Sequence, residues 1–191
     1  MKVLIAGGGI GGLTLALTCH QLGIPFKVFE QVGALKPLGV GINLQPVAVR
    51  ELYDLGLEEK VEQVGIRTRD FGLYTSKGLH VWTEHRGEWA GYAWPQYSIH
   101  RGHLHMLLYD TLIDRAGTEC IATGMSAVGF ENTSDGIALQ LQSANGEDFL
   151  ENGSVLVGAD GIHSSIRRQM NPEEGDPVWG GSVLWRANQH H

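Results

Sequence analysis

A glycine-rich turn directly after a short apolar run constrains this chain more than any other feature. Residues 3–5 are Val-Leu-Ile, an unbroken apolar run typical of a strand that is buried on both faces. Gly7, Gly9 and Gly12 follow as G-x-G-x-x-G, and from Leu13 onward the apolar residues have helical spacing. The sequence therefore predicts a strand, a tight glycine turn and a helix.

Each glycine of this turn has a physical role in holding a diphosphate. The first allows the tight turn, the second removes any side chain between backbone and phosphate, and the third lets the helix pack closely on the strand. The helix N-terminus adds unpaired N–H groups and the positive end of the helix dipole. The predicted diphosphate site consists of Gly7, Gly9, Ile10, Gly11 and Gly12.

An acidic residue stands where a nucleotide-binding unit needs one. The apolar run over residues 26–29 ends at Glu30, 18 residues beyond Gly12. This is close to the ~20 residues expected for the acid that accepts hydrogen bonds from an adenosine ribose. A carboxylate suits the unphosphorylated ribose of NAD or FAD better than that of NADP, and it does not distinguish NAD from FAD. The alternative is an ordinary strand–helix–strand unit that binds no nucleotide.

Composition narrows the class of protein. A length of 191 residues allows one large domain or parts of two. The net charge of −7, without a basic stripe, argues against a nucleic-acid partner. Cys19 and Cys120 are isolated and predict buried thiols in the reducing cytoplasm, with neither a disulfide framework nor a metal site. The N-terminus is not a signal peptide, and no apolar stretch reaches the ~20 residues of a membrane span.

The rest of the chain predicts a mixed α/β fold. Beyond the first strand–helix–strand unit, the pattern predicts elements at the following positions: a long loop over 31–45, a helix from Pro46 to Gly56, strands over 66–84 with a turn at 76–78, a helix from 104 that Gly117 ends, an antiparallel meander over 121–150, a buried strand over 155–157, and a short helix after Gly161. A parallel pair interrupted by a meander differs from a simple doubly wound sheet.

A second glycine motif makes the family recognisable. Residues 157–167 read VGADGIHSSIR, so an Asp-Gly pair ends a buried strand and is followed by Ser164 and Arg167. Together with the first motif, this pattern resembles the single-component FAD-dependent aromatic hydroxylases, the group of p-hydroxybenzoate and salicylate hydroxylases. The segments PLGVGINLQP (37–46) and PQYSIHRG (95–102) are most similar to the members of that family that hydroxylate phenazine carboxylates.

The resemblance implies a cofactor and a set of contacts. FAD would be the bound cofactor, with NADH or NADPH as a transient co-substrate. The family positions that touch FAD or lie beside it correspond to the first glycine motif, Glu30, Gly41, Ile42, Asn43, Arg101, Ala127, Asp160 and Gly161. In this comparison Arg101 would bind FAD phosphate or ribityl oxygens, although a surface cation is the alternative. Ser164 is equally compatible with a helix cap, and Arg167 is expected to form a structural bond inside its own loop.

Aromatic residues are concentrated before Arg101. Trp82, Trp89, Tyr92, Trp94 and Tyr97 lie within 16 residues. In the family this stretch borders the substrate side, where flat aromatic walls would suit a planar ring. Ordinary core or interface packing is the alternative. The histidines nearby have no metal-ligand spacing, and we expect them to lie at the surface or to form hydrogen bonds.

One family fingerprint is missing. The family carries a late Gly-Asp motif that binds the ribityl chain, whereas Gly175-Asp176 is followed by Pro177 and predicts a turn. We expect an FAD-binding domain over residues 1–175, with 66–97 bordering the substrate side, and the start of a truncated substrate sheet over 176–191.

The function that follows is an FAD- and NAD(P)H-dependent monooxygenase that uses O₂ to hydroxylate an aromatic or phenazine-type substrate. The chain would represent an N-terminal portion and would be inactive alone. No catalytic residue can be assigned, and a homo-oligomer is left open. The alternatives are a non-catalytic FAD-binding remnant or assembly module and, with less support, an NAD-dependent dehydrogenase.

Overall fold

The computed structural model describes residues 1–183. Its helices and strands, in chain order, are β1 (Val3–Ala6), α1 (Ile10–Gln21), β2 (Phe26–Glu30), β3 (Gly41–Leu44), α2 (Pro46–Asp54), α3 (Glu58–Val64), β4 (Gly65–Arg67), β5 (Asp70–Tyr74), β6 (His80–His85), β7 (Tyr97–His100), α4 (Arg101–Ala116), β8 (Ile121–Thr123), β9 (Met125–Thr133), β10 (Gly136–Ser143), β11 (Asp148–Gly153), β12 (Val155–Gly158) and α5 (Ser165–Met170).

The described residues form two compact units. The first comprises residues 1–36 and 105–183, and the second comprises residues 37–104. The boundary falls within α4, whose first four residues belong to the second unit.

The first unit contains a parallel sheet and an antiparallel one. The parallel sheet has the order β12-β1-β2-β8, and the strands of the antiparallel sheet lie in the order β11-β10-β9. Leu4 at the centre of the parallel sheet packs in one cluster with Leu139 and Leu141 of the meander and with Ile166 of α5. The meander therefore covers the parallel sheet and keeps its apolar side chains from water.

The second unit contains two small antiparallel sheets. In the first, β7 lies between β3 and β4, and in the second β5 pairs with β6. Pro46 begins α2 at a position where its missing N–H costs nothing, and Gly56 (φ +69°) follows the end of that helix. The β5–β6 hairpin exposes large apolar side chains, among them Leu73, Val81 and Trp82.

The fold class predicted from the sequence is confirmed: a strand–helix–strand unit with a parallel sheet is combined with an antiparallel meander. Three details were wrong. β8 pairs in parallel with β2 and is no part of the meander, β3 occupies part of the predicted 31–45 loop, and β12 lies at a sheet edge with Val155 45% exposed. Of the substrate sheet expected to start within residues 176–191, residues 176–183 show no strand, and the remainder lies outside the described residues.

Candidate functional site

The turn after β1 is fixed by contacts that only glycine permits. Gly7 has φ +108°, and its N–H donates to the carbonyl of Phe29 at 2.8 Å. A side chain on Gly7 would collide with the carbonyl of Ala159, which follows β12. One on Gly12 would collide with the carbonyl of Gly7, because α1 crosses the turn closely. These two glycines therefore bring β1, α1 and the end of β12 together.

Gly9 and Gly11 are in a different situation. A side chain on either would meet no atom within 4 Å, so the space beside them is open. Gly9 is the N-cap residue of α1, with φ −73° and ψ −178°, and no side chain caps this helix end. The N–H groups of the first turn are therefore available to an external acceptor, as a helix-bound phosphate requires.

Glu30 ends β2 beside this turn and is 8% exposed. Its Oε2 accepts the N–H of Gly8 at 2.7 Å, and its Oε1 accepts the N–H of Val32 at 2.8 Å. Two backbone donors thus hold the carboxylate in one orientation. Each carboxylate oxygen has a second lone pair, so the group could still accept from the hydroxyls of a ribose.

The Asp-Gly motif lies after β12, opposite the glycine turn. Asp160 Oδ1 accepts the hydroxyl of Ser164 at 2.5 Å, and its Oδ2 accepts the N–H of Ile166 at 3.3 Å. Ser164 is the N-cap of α5, since its Oγ accepts the N–H of Arg167 at 2.8 Å. The Arg167 guanidinium donates to the carbonyl of Ile162 at 2.8 Å. The helix-cap interpretation of Ser164 and the loop-bonding interpretation of Arg167 are therefore both confirmed.

These features border one cleft of about 250 Å³, which lies within the first unit. The predicted site residues that line it are Gly7, Gly9, Glu30, Ala127, Asp160 and Gly161. Several further lining residues were not predicted, namely Phe29, Gln31, Met125, Ser126, Ala159, His163 and Ser165. The available signal was their closeness in the sequence to Glu30, to Ala127 and to the Asp-Gly motif. Ala127 reaches the cleft from the meander, so four separate stretches of sequence converge there, at 7–9, 29–31, 125–127 and 159–165.

Four predicted residues lie in the second unit. Gly41, Ile42 and Asn43 form β3, and the amide oxygen of Asn43 accepts the hydroxyl of Ser98 on β7 at 2.8 Å. Arg101 is the first residue of α4 and is exposed.

The chain before β3 wraps around this start of α4. The backbone N–H of Arg101 donates to the carbonyl of Val40 at 3.0 Å, and its guanidinium donates to that of Leu38 at 3.3 Å. Among the described residues, no ion pair joins Arg101 to a carboxylate. A charged guanidinium is thus left able to bind an anion.

The aromatic residues before Arg101 are not one packed group. Tyr97 is fully buried, and its hydroxyl lies 2.9 Å from that of Tyr53. Trp82, Trp89 and Tyr92 are between 43% and 57% exposed. Core packing therefore explains Tyr97 but not the other three.

One polar contact of the glycine turn was not anticipated. His105 of α4 places its Nε2 2.7 Å from the carbonyl oxygen of Gly8. No local pattern distinguishes His105 from the other histidines nearby, because its partner lies 97 residues away in the chain.

Residues 1–183 were also searched for membrane-spanning helices and metal sites. No helix in this range is long and apolar enough to cross a membrane, and no three acidic, histidine or cysteine side chains there are grouped to hold a metal. Cys19 and Cys120 are buried, and burial raises the pKa of both thiols, so they are protonated at neutral pH.

The parallel sheet, the glycine turn and the acid at the end of β2 define a dinucleotide-binding α/β protein. The chain belongs to the family described as FAD binding domain, which matches residues 1–180.

Curated relatives agree with this membership. The chain is 42% identical, over 97% of its length, to a phenazine 1,6-dicarboxylic acid hydroxylase, PhzS, of Lysobacter antibioticus, and covers 46% of that protein. It is 33% identical, over 97% of its length, to 3-hydroxybenzoate 6-hydroxylase 1 of Aquipseudomonas alcaligenes, and covers 46% of it. The chain thus spans about half the length of the curated relatives it matches.

A solved structure with the same fold is the tetrameric form of 2-methyl-3-hydroxypyridine-5-carboxylic acid oxygenase. It matches with a TM-score of 0.71 and 27% identity, over 88% of this chain and 42% of that one. The resemblance to FAD-dependent aromatic hydroxylases, inferred above from the two glycine motifs, is confirmed.

Proposed function

We propose that this chain binds FAD and forms the cofactor-binding part of an NAD(P)H-dependent monooxygenase that hydroxylates an aromatic, phenazine-type substrate. The observation that carries the proposal is the cleft, in which the open face of Gly9 adjoins the Glu30 carboxylate that two backbone donors hold in place. An open helix N-terminus suits a diphosphate, and the carboxylate beside it suits a ribose with free hydroxyls.

The proposed contacts are divided between the two ends of the cofactor. Gly7, Gly9, Ile10, Gly11 and Gly12 would surround the diphosphate, Glu30 would bind the adenosine ribose, and Ala127, Asp160 and Gly161 would line the same cleft. Residues 41–43 and Arg101 would serve the ribityl and ring end. When bound, FAD would supply the redox and oxygen chemistry, while the chain would orient the cofactor and exclude water.

The substrate class rests on the relatives. PhzS, at 42% identity, is named as a phenazine dicarboxylic acid hydroxylase, which supports a planar, electron-rich acid as substrate, with O₂ as co-substrate. NADH or NADPH is proposed as the reductant, and the cytoplasm as the location. The proposed domains are residues 1–175 for FAD, with 66–97 on the substrate side, and 176–191 for the start of the substrate domain.

A second candidate is a non-catalytic FAD-binding module that another polypeptide completes. The observation that favours it is the β5–β6 hairpin, which leaves Leu73, Val81 and Trp82 exposed, as a surface that a partner covers would be. Both candidates share FAD binding and differ in whether the chain hydroxylates a substrate by itself.

A titration tests the shared part. The purified chain is mixed with FAD, FMN or NAD⁺, and binding is followed by flavin fluorescence or calorimetry. We expect FAD to bind more tightly than FMN, because FMN lacks the adenosine that Glu30 and the cleft would contact. Binding of NAD⁺ with no binding of FAD would favour a dehydrogenase and overturn the proposal.

A further inference from the structure

The glycine turn contains three consecutive glycines, at positions 7–9. Glycine has the widest choice of backbone conformations of any residue, so three in a row lose the most conformational entropy when they are held in one shape. A turn that must present N–H groups to a phosphate therefore needs contacts that fix its peptide planes.

The middle glycine is held on both sides by side chains from distant elements. The N–H of Gly8 donates to Glu30 Oε2 at 2.7 Å, and the carbonyl of Gly8 lies 2.7 Å from His105 Nε2. Because a carbonyl oxygen only accepts, the Nε2 atom of His105 must carry a hydrogen. One glycine thus has its donor bound by β2 and its acceptor bound by α4.

The bond from His105 has a consequence for the next residue. The carbonyl of Gly8 and the N–H of Gly9 belong to one planar, trans peptide and point in opposite directions. Holding the carbonyl toward α4 therefore turns the N–H of Gly9 away from α4. Gly9 lines the cleft, and none of the hydrogen bonds found among residues 1–183 uses its N–H.

We propose that His105 is a positioning residue for dinucleotide binding, which holds the Gly8–Gly9 peptide so that the Gly9 N–H faces the phosphate. The proposal rests on the function proposed above, since it takes the cleft to be a nucleotide site. His105 itself does not line the cleft. It acts through the backbone of Gly8.

The first test compares variants that keep or remove the donor. His105→Leu has no N–H, whereas His105→Gln places an amide donor at a similar reach. The exposed His103 on the same helix offers a matched control, His103→Leu. ADP and FAD are titrated into each variant of the full chain, and thermal unfolding is recorded without ligand.

We expect His105→Leu to weaken ADP and FAD about fivefold, the equivalent of ~1 kcal/mol for one hydrogen bond. His105→Gln should recover most of the loss, and the control should bind like the unaltered chain. Equal loss in the Leu and Gln variants would overturn the proposal, because packing rather than the N–H would then matter. Unchanged affinity in His105→Leu would overturn it as well.

A second readout needs no ligand. Nitrogen-15 NMR of the labelled histidines should show hydrogen on the Nε2 of His105, and the Gly9 amide should exchange with solvent faster in His105→Leu than in His105→Gln. A neutral His105 with its hydrogen on Nδ1 would overturn the positioning role. If the unaltered chain binds neither ADP nor FAD, the proposed function fails, while the His105 tautomer still decides whether the Gly8 carbonyl is held.

Discussion

At the scale of single residues, Gly9 and Gly12 belong to the same motif, but packing requires glycine only at position 12. Gly12→Ala would force its methyl group into the Gly7 carbonyl, so we expect it to lower the free energy of unfolding by ~1–3 kcal/mol. Gly9→Ala meets open space at a φ of −73°, so stability should stay within ~0.5 kcal/mol. Its methyl would occupy the proposed phosphate space, so FAD should bind at least about tenfold more weakly. Denaturant unfolding and FAD titration of both variants check this, and a Gly9→Ala variant that binds FAD normally would contradict it.

Glu30 carries both a structural and a proposed binding role. Glu30→Ala should weaken FAD by ~1.5–3 kcal/mol through loss of a charged acceptor. It should also lower the unfolding free energy by ~1–3 kcal/mol, because the N–H groups of Gly8 and Val32 lose their partner. Affinity is measured by calorimetry and stability by urea unfolding, with the exposed Glu59→Ala as control. Stability loss without any loss of FAD affinity would leave Glu30 only the structural role.

Arg101 tests the ring end of the site. We expect Arg101→Ala to weaken FAD and Arg101→Lys not to rescue it, because a planar fork of donors is replaced by a point charge. Both variants are titrated with FAD. Arg69→Ala is the control, because Arg69 is also an exposed arginine but its guanidinium pairs with Asp70. Full recovery with lysine would show that only the positive charge matters at this position.

At the scale of helices and strands, local sequence patterns predicted most elements. The strands whose position in a sheet was predicted wrongly are those that pair with residues far away in the chain. Pro46 and Gly56 marked α2 correctly, and most of the meander predicted over 121–150 is present as β9, β10 and β11. Nothing local in Ile121–Thr123 reveals that its partner is Val28, more than ninety residues earlier. Gly124, with φ +73°, then lets the chain leave the parallel sheet before β9 begins. Likewise, the apolar run of β12 cannot reveal that it lies at an edge.

The Ser164 cap, which joins α5 to the Asp-Gly motif, is expected to contribute to stability. Ser164→Ala removes the cap of α5 and the donor to Asp160, and we expect the free energy of unfolding to fall by ~1–2 kcal/mol. Ser164→Thr keeps the hydroxyl and should lose less than half as much. The stability of both variants is measured by thermal unfolding, monitored by circular dichroism. Equal stability of the alanine variant and the unaltered chain would show that the cap contributes nothing.

At the scale of the whole chain, the cleft shows why the residues of a site can be predicted only in part from the sequence. Its glycine turn and acid have fixed spacing within one strand–helix–strand unit, so local pattern was sufficient. Ala127 and Asp160 were placed by family resemblance, and they reach the cleft because the meander packs on the parallel sheet. His105 was missed because its role depends on where α4 passes the turn, which no spacing encodes.

The β5–β6 hairpin bears on whether these 191 residues can complete the proposed reaction by themselves. It leaves large apolar side chains exposed, and the 191 residues span about half the length of the curated relatives described above. We therefore expect these residues alone to exclude water incompletely from bound FAD, whereas productive hydroxylation requires that water be excluded.

We accordingly predict that the 191-residue chain alone oxidises NADH without hydroxylating a substrate. The chain is supplied with FAD, NADH and a phenazine or phenolic acid, and NADH loss, hydrogen peroxide and hydroxylated product are measured together. Peroxide should account for the NADH consumed beyond that in a control of free FAD, and Gly9→Ala should reduce this excess because it binds FAD less well. Product formed in step with NADH use would contradict the prediction. It would show that these 191 residues by themselves form a substrate site from which water is excluded.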